Sequence, residues 1–166
     1  MAGCIKPPSI NLNDRSWIIH TRTEERPPVW IAKGAQVTDS MITDGCELEA
    51  GAIVEHSILS PGVLVRQGAI IRESIVLTGT EINPGVVLEH AIIDKHVSIG
   101  SNAHVGSIFS RTEPEVVMVG KNSHIPGEYT IEAGAVIGTD VIEGDYPSNL
   151  VHGDDYIQTR RSVYEF

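Results

Sequence analysis

The feature that most constrains this chain is a repeat between residues 31 and 105, in which an apolar residue recurs at steps of five or six. Two steps of six and one of five make a 17-residue unit. A short fixed period of this kind is typical of solenoids built from hexapeptides. We therefore predict a parallel β-helix whose inward-facing residues are Ile31, Val37, Ile42, Leu48, Val54, Leu59, Val65, Ile71, Val76, Ile82, Leu88, Ile93, Ile99 and Val105.

A second, mostly small set of residues precedes the first by two places. Side chains alternate along a strand, so both sets fall on the same face and point inward. Small residues suit this position because three short strands that meet at a corner leave little room beside the backbone. The second set is Ala35, Ser40, Cys46, Ala52, Ser57, Val63, Ala69, Ser74, Thr80, Val86, Ala91, Val97 and Ala103.

The corners of the predicted coils show the same period in three columns. Glycine tolerates positive φ without steric cost and asparagine is the next best residue, so a left-handed backbone is predicted where Asn102 continues a glycine column. The columns are Gly34, Gly51, Gly68, Gly85 and Asn102, then Gly45, Gly62, Gly79 and His96, then Asp39, His56, Glu73 and His90.

The third column alternates acid and imidazole on successive coils, which rise by about 4.8 Å each. We interpret it as an exposed ladder of favourable charge neighbours. The alternative is a metal or proton site, but His56 and His90 lie two coils, or roughly 10 Å, apart, which is too far to share one zinc within one chain.

The period breaks after Val105 and resumes at Val119, so residues 106–115 are predicted to form a loop ejected from the stack. The six-residue spacing then continues through Ile125, Ile131 and Ile137, and Ile142 follows after a step of five. We expect an extended strap in residues 1–30, the β-helix in residues 31–142, and a cap or tail in residues 143–166 that covers the open end, as solenoids require.

The composition of the chain limits the classes of partner and the cellular compartment to be expected. The 166 residues suit one domain, and a formal net charge of −10 disfavours binding to nucleic acid or to acidic membrane surfaces. The two cysteines make no metal or disulfide pattern, and no stretch reads as a signal peptide or a membrane span. The expected compartment is the cytoplasm.

Catalytic signatures are scarce. There is no Gly-rich phosphate loop with its lysine, no G-x-S-x-G elbow and no His-Glu-x-x-His pair, so we predict no catalytic residue, no cofactor and no metal. Two enzymatic alternatives stay open. One is a hexapeptide acyltransferase that uses His104 as general base, and the other is a zinc carbonic anhydrase of the hexapeptide type, for which His90 and His96 would lie on different corners.

Three basic residues stand out in this acidic chain as candidates for binding an anion. Lys95 and Lys121 are expected on adjacent coils, and Arg111 lies in the predicted loop between them. Converging cations hold a phosphate through charge-assisted hydrogen bonds. The alternative is that all three are ordinary solvated side chains.

Several segments together resemble the C-terminal domain of ADP-glucose pyrophosphorylase (glucose-1-phosphate adenylyltransferase), an enzyme of glycogen and starch synthesis. The resemblance covers roughly residues 10 to 137 and is carried by Asn-Leu-Asn-Asp-Arg-Ser-Trp at 11–17, Ser-Ile-Leu-Ser-Pro-Gly-Val at 57–63, Ala-Ile-Ile-Asp-Lys at 91–95, and Val-Val-Met-Val-Gly-Lys-Asn-Ser-His-Ile-Pro at 116–126. It implies a left-handed β-helix and a homotetramer, whereas an acyltransferase would be a trimer.

The resemblance also implies roles for the basic residues. In that family, lysines of the Ile-Asp-Lys and Val-x-Lys motifs bind a sugar-phosphate or phosphoglycerate activator, and these fall on Lys95 and Lys121. A loop arginine that does so in some bacterial members falls on Arg111. Other arginines of the family are replaced by Leu64, Ser107, Ile108 and Ser110.

The family's catalytic domain precedes this one, and its Gly-rich nucleotide motif is absent from this sequence. The chain alone is therefore not expected to make ADP-glucose. We expect a regulatory and oligomerisation module of a glucose-1-phosphate adenylyltransferase, with a stand-alone hexapeptide acyltransferase as the alternative.

Overall fold

A computed structural model describes residues 25–107 and 115–159 of the chain. The predicted strap before residue 25, Arg111, and the end of the predicted tail from residue 160 lie outside the described residues. In chain order, the strands are β1 (Trp30–Ile31), β2 (Gln36–Thr38), β3 (Met41–Ile42), β4 (Glu47–Leu48), β5 (Ile53–Glu55), β6 (Ile58–Leu59), β7 (Leu64–Val65), β8 (Ile70–Arg72), β9 (Ile75–Val76), β10 (Glu81–Ile82), β11 (Val87–Glu89), β12 (Ala91–Ile93), β13 (Ser98–Ile99), β14 (His104–Val105), β15 (Val117–Val119), β16 (His124–Ile125), β17 (Thr130–Ile131), β18 (Val136–Ile137), β19 (Leu150–Val151) and β20 (Tyr156–Ile157).

The strands build three parallel sheets, here named A, B and C, and the chain visits them in that order in each coil. Sheet A is β1-β4-β7-β10-β13-β16, sheet B is β2-β5-β8-β11-β14-β17-β19, and sheet C is β3-β6-β9-β12-β15-β18-β20. Every pair within a sheet is parallel and in register, for example Ile82 with Val65 and Ile99. The fold is therefore the predicted left-handed parallel β-helix, with about seven turns.

The core is the inner column that the period predicts. From Leu48 to Ile137 the large inward residues are almost completely buried, and Ser57, Ser74 and Thr80 of the small set are buried with them. The first coil differs: Ile31 and Val37 are 47% and 37% exposed, because no further coil covers them within the described residues.

Ile142 is a correction to the predicted column. It is 41% exposed, whereas Val141 before it is completely buried and continues the small inward set, opposite Ser123 of the preceding coil. The reason is local: Ile142 caps a short 3₁₀-helix, Glu143–Asp145, in which the chain leaves the coil.

The helix also continues past Ile142, where the six-residue spacing ends. Strands β19 and β20 pair with β17 and β18 and add one more coil to sheets B and C. Tyr146, which follows the 3₁₀-helix, packs edge-to-face on Tyr129 at 5.4 Å, and its hydroxyl donates to the carbonyl of His124 at 3.2 Å. No helix within residues 25–107 and 115–159 has the length and apolarity to cross a lipid bilayer.

All three corners have left-handed backbone. Asn102 has φ of 58°, as its place in a glycine column predicts, and His96 has φ of 56°. The acid and histidine column was not predicted to be left-handed, yet Asp39, His56, Glu73 and His90 have φ between 43° and 52°. Left-handed conformation costs a non-glycine residue roughly 1–2 kcal/mol, so this corner carries strain on four successive coils.

The predicted loop leaves the stack between sheets B and C. On the preceding coil a single residue, His90, separates β11 from β12, whereas residues 106–116 separate β14 from β15. Strand β15 nonetheless resumes pairing in register, with Val117 opposite Ala91. The insertion therefore leaves the coils on either side of it intact.

Candidate functional site

Lys95 and Lys121 occupy equivalent places on adjacent coils, at the corner where sheet C hands over to sheet A. Ile93 pairs with Val119 two residues before each lysine, and the backbone N–H of Asn122 donates to the carbonyl of Lys95 at 3.0 Å. Both lysine side chains are exposed. The corner thus presents two ammonium groups from neighbouring coils, whose backbones are about 4.8 Å apart.

Other cations of the stack are already neutralised. Arg66 donates to Glu81 at 2.6 Å and to Glu49 at 3.0 Å, and these hydrogen bonds raise the pKa of its guanidinium. Arg72 is held in the same way by Glu55 and Glu89, whose hydrogen bonds raise its pKa.

Within the described part of the chain neither Lys95 nor Lys121 has a carboxylate partner within ion-pair distance. Two exposed ammonium groups separated by the spacing of the coils, about 5 Å, would repel each other by roughly 1 kcal/mol in water. A phosphate bound between them would remove that repulsion. The pair is therefore suited to binding an anion.

The loop that carries Arg111 has its described ends at a different corner from the lysines. Ser107 and Glu115 stand where sheet B hands over to sheet C, at the start of β15, and Lys121 follows the end of the same strand. The six residue-to-residue steps from Glu115 to Lys121 span at most roughly 20 Å. The structure brings the two lysines together and puts the base of the loop across sheet C from them.

A groove of about 710 Å³ lies on the outer face of sheet C, between the base of the loop and the lysine corner. Its floor includes Ile92 and Met118, and Asp94 and Gly120 at its edge immediately precede the two lysines. The repeat of inward and corner residues does not predict this groove, because its floor is built from outward side chains. The outward residues of the same strands were the available signal.

His104, the candidate base for acyl transfer, lines a second cavity of about 510 Å³ beside the base of the loop. Three carboxylates, Glu115, Glu132 and Asp154, line the same cavity. A carboxylate-lined cavity disfavours phosphate-bearing ligands such as acyl-CoA. The geometry therefore favours the lysine corner over this cavity as an anion site.

The histidines of the third corner lie near acids, as the ladder interpretation predicts. His56 Nε2 is 3.8 Å from Asp39 Oδ2, and His90 Nδ1 is 3.4 Å from Glu73 Oε2. His96 stands on the lysine corner, away from His90. In residues 25–107 and 115–159, no group of three or more His, Cys, Asp or Glu side chains is placed to hold a metal ion.

Comparison with known proteins places these observations in a family. A family model described as GlmU-like, C-terminal hexapeptide matches residues 31–119. The chain is 45% identical to glucose-1-phosphate adenylyltransferase from Thermomicrobium roseum over 94% of its own length, and 37% identical to that from Pseudothermotoga lettingae over 90%. The resemblance found in the sequence is thereby confirmed.

The chain spans 38% and 37% of the length of these two curated relatives. Among solved structures, a candidate acetyltransferase from Desulfovibrio desulfuricans G20 matches with a TM-score of 0.57 and 14% identity, over 73% of this chain and 28% of that one. A likeness of this kind shows a shared fold. Because the family model covers more than half of the sequence, the chain belongs to the GlmU-like C-terminal hexapeptide family.

Proposed function

We propose that this chain is the regulatory and assembly module of a glucose-1-phosphate adenylyltransferase, acting in the cytoplasm in glycogen or starch synthesis. In this role it binds an anionic sugar-phosphate or phosphoglycerate effector at Lys95 and Lys121, and Arg111 of the loop completes the site. The nucleotidyl transfer itself belongs to the part of the enzyme that the relatives have and this chain does not span.

The observation that carries the proposal is the pair of neighbouring lysines without ion-pair partners in the described part of an acidic chain. Arg66 and Arg72 each have two carboxylates on adjacent coils, whereas Lys95 and Lys121 have none within ion-pair distance. Surface cations in a chain of net charge −10 are readily neutralised by such pairs. Two lysines on adjacent coils that have no ion-pair partner among the described residues are available to an external anion.

The polar edge of the sheet C groove supports a sugar-phosphate over a bare phosphate. Thr139 and Gln158 line the groove on the coils beyond Lys121, and both carry groups that hydrogen-bond to hydroxyls. The phosphate would sit between the ammonium groups, and the hydroxylated part would lie along the polar edge of the groove at Thr139 and Gln158, beside its apolar floor. Lysine binds phosphate as a point charge, so affinity is expected to fall as salt screens it.

Isothermal titration calorimetry with fructose 1,6-bisphosphate and 3-phosphoglycerate tests this proposal. Binding is expected for the wild type and is lost when Lys95→Gln and Lys121→Gln are combined. Lys33→Gln is the matched control, because Lys33 is an exposed lysine in the same turn position of another corner. Equal affinities of the double variant and the wild type would overturn the effector site.

A parallel assay of thiol release from acetyl-CoA tests the acyltransferase alternative. That alternative is favoured by one observation, the position of His104 in the wall of a cavity. If the wild type released thiol from acetyl-CoA and His104→Ala abolished this activity, the acyltransferase alternative would replace the proposal. We expect none, because the three carboxylates of that cavity repel the phosphates of CoA.

A further inference from the structure

The outward face of sheet C carries an unbroken apolar column. One outward residue from each of the seven strands stands in register with the next, so the column runs the length of the described helix. We call it the sheet C stripe, and it consists of Met41, Ile58, Ile75, Ile92, Met118, Val136 and Tyr156.

The stripe is exposed to a degree that is unusual for its composition. Ile75 and Ile92 are 38% and 40% exposed, Met118 is 49% and Tyr156 is 60%. Seven strands at about 4.8 Å make a column roughly 29 Å long. Contiguous apolar patches of this size on a protein surface are usually interaction sites.

The other two faces differ in the polarity of the equivalent columns. On sheet A the outward column contains Glu47 and Glu81, and on sheet B a second outward column contains Glu55, Arg72 and Glu89 in charged pairs. Sheet B also has an outward column without Asp, Glu, Lys or Arg, but Gln36, His104 and Thr130 interrupt it, whereas the stripe carries an aliphatic or aromatic side chain on every described strand of sheet C. Sheet C is therefore the face that a partner can desolvate at the smallest cost in free energy.

We propose that a second copy of this chain packs on the sheet C stripe, face to face, with the two-fold axis parallel to the axis of the helix. The proposal deepens the assembly part of the proposed function and rests on it. It commits to a copy because the stripe is self-complementary: it has no charged residue and presents an aliphatic or aromatic side chain on every described strand of sheet C. Two such faces pack about 10 Å apart, as the two sheets of a β-sandwich do.

The area of the face sets the strength expected of this pair. A face roughly 29 Å by 15 Å, counted on both copies with its side-chain relief, buries about 1,000 Å² of accessible surface in total. That is the lower limit for a specific interface and predicts reversible association in the micromolar range. A net charge of −10 on each copy weakens association further at low salt.

Charge at the two edges of sheet C decides the orientation. One edge carries the acids Asp39, Glu73 and Glu115, with His56 and His90 between them. The other edge is less acidic, because Lys95 and Lys121 offset Asp44, Asp94 and Asp140. A two-fold axis along the helix sets each edge against the opposite edge of the partner. A two-fold axis across the helix sets the acidic edge against itself, which costs free energy.

Sedimentation equilibrium of the full chain tests the surface. The wild type is expected to dimerise with a micromolar dissociation constant, and Ile75→Lys raises that constant by at least about tenfold because it places a charge in the interface. Ile70→Lys is the matched control, since Ile70 is an outward isoleucine of the same coil on sheet B. It is expected to dimerise within about twofold of the wild type.

Measurements of folding and of anion binding distinguish a lost interface from a misfolded variant and from a failed effector site. Circular dichroism shows whether Ile75→Lys folds, and the milder Ile75→Thr, which keeps a β-branched residue in the strand, is the second variant. Calorimetry on Ile75→Lys is expected to retain effector affinity. If neither the wild type nor the stripe variants bound the effector while dimerisation still depended on the stripe, the effector site would be refuted and this inference would be supported.

Thiol crosslinking tests the orientation. In a background without Cys4, Ile58→Cys and Met118→Cys are each expected to crosslink to their own counterpart with a reagent about 8 Å long, since parallel stripes bring equal residues together across sheets about 10 Å apart. With the axis across the helix, at most one position could do so. A wild type that stays monomeric at about 200 μM, equal effects of Ile75→Lys and Ile70→Lys, or failure of both crosslinks would overturn the proposal.

Discussion

The hydroxyl oxygen of Ser74 accepts a hydrogen bond at 3.1 Å from the backbone N–H of Ala91, one coil further along the chain. The same hydroxyl donates to the carbonyl of Arg72 at 2.7 Å. Ser57 repeats both bonds one coil earlier, with Ser74 and Glu55 as its backbone partners. A buried serine ladder therefore satisfies backbone groups at the strained corner between sheets B and C.

Replacing Ser74 by alanine should destabilise the protein by about 1–3 kcal/mol, because it leaves the buried backbone N–H of Ala91 without its acceptor. The carbonyl of Arg72 still accepts from the backbone N–H of His90. The free energy of unfolding from a urea titration measures the effect. Ser98→Ala is the control, since Ser98 is an outward residue of sheet A and only partly buried. A loss no larger than that of the control would show that the ladder contributes little.

Removing Arg72 should cost more than removing Arg66. Arg72→Met leaves Glu89 without its cation, and the Glu89 side chain is only 6% exposed, whereas the partners of Arg66 are 33% and 38% exposed. A buried unpaired carboxylate costs at least about 1–3 kcal/mol. Urea unfolding should show that adding Glu89→Gln to Arg72→Met restores part of the loss, and a double variant no more stable than the single one would contradict this reason.

Glycine should be better than alanine at His56. Both substitutions remove the side chain and its contact with Asp39, but φ at this residue is 47°. We expect His56→Gly to be more stable than His56→Ala by about 1 kcal/mol, because glycine adopts left-handed backbone without the steric cost. Thermal unfolding of the pair would refute the prediction if alanine were equal or better.

Burial makes stability depend on the proton of Tyr146. Desolvation, followed by the neighbouring Tyr129 and Asp145, raises the pKa of its hydroxyl. A raised pKa means that the folded state holds the proton more tightly, so this contribution is complete below about pH 10 and is lost above it, by at most about 1.4 kcal/mol per pH unit.

The comparison with Tyr146→Phe isolates that contribution. Below about pH 10 the variant should be less stable by a constant amount of roughly 1 kcal/mol, which is the lost hydrogen bond to His124. Above that pH the difference should shrink and then change sign, because phenylalanine does not ionise. Urea titrations across the range measure it, and a difference that stays constant to about pH 11 would rule out the assignment.

Much of the fold could be predicted from the sequence because a solenoid repeats its physical requirements. The inward residues from Leu48 to Ile137 and the left-handed corner at Asn102 follow from one period and from the conformational range of glycine and asparagine. The pairing of Lys95 with Lys121 on adjacent coils follows from the same count, because the inserted loop does not disturb the register.

The remainder depends on interactions that spacing does not contain. The repeat explains serine at the small inward position by its size alone. Its role as a hydrogen-bond bridge depends on the contact between the Ser74 hydroxyl and the backbone N–H of Ala91, which spacing does not predict. The six-residue spacing does not predict the last coil, because the 3₁₀-helix at Glu143–Asp145 interrupts that spacing before β19 and β20. The role of Arg111 stays a prediction.

The central claim is that Lys95 and Lys121 together hold a phosphate-bearing effector. Chemical footprinting tests it without any substitution, by measuring how fast an amine-reactive reagent modifies each lysine with and without fructose 1,6-bisphosphate. We expect the ligand to slow modification of Lys95 and Lys121 together and to leave the rate at Lys33 unchanged. Equal rates at all three lysines in the presence and absence of a saturating ligand would contradict it.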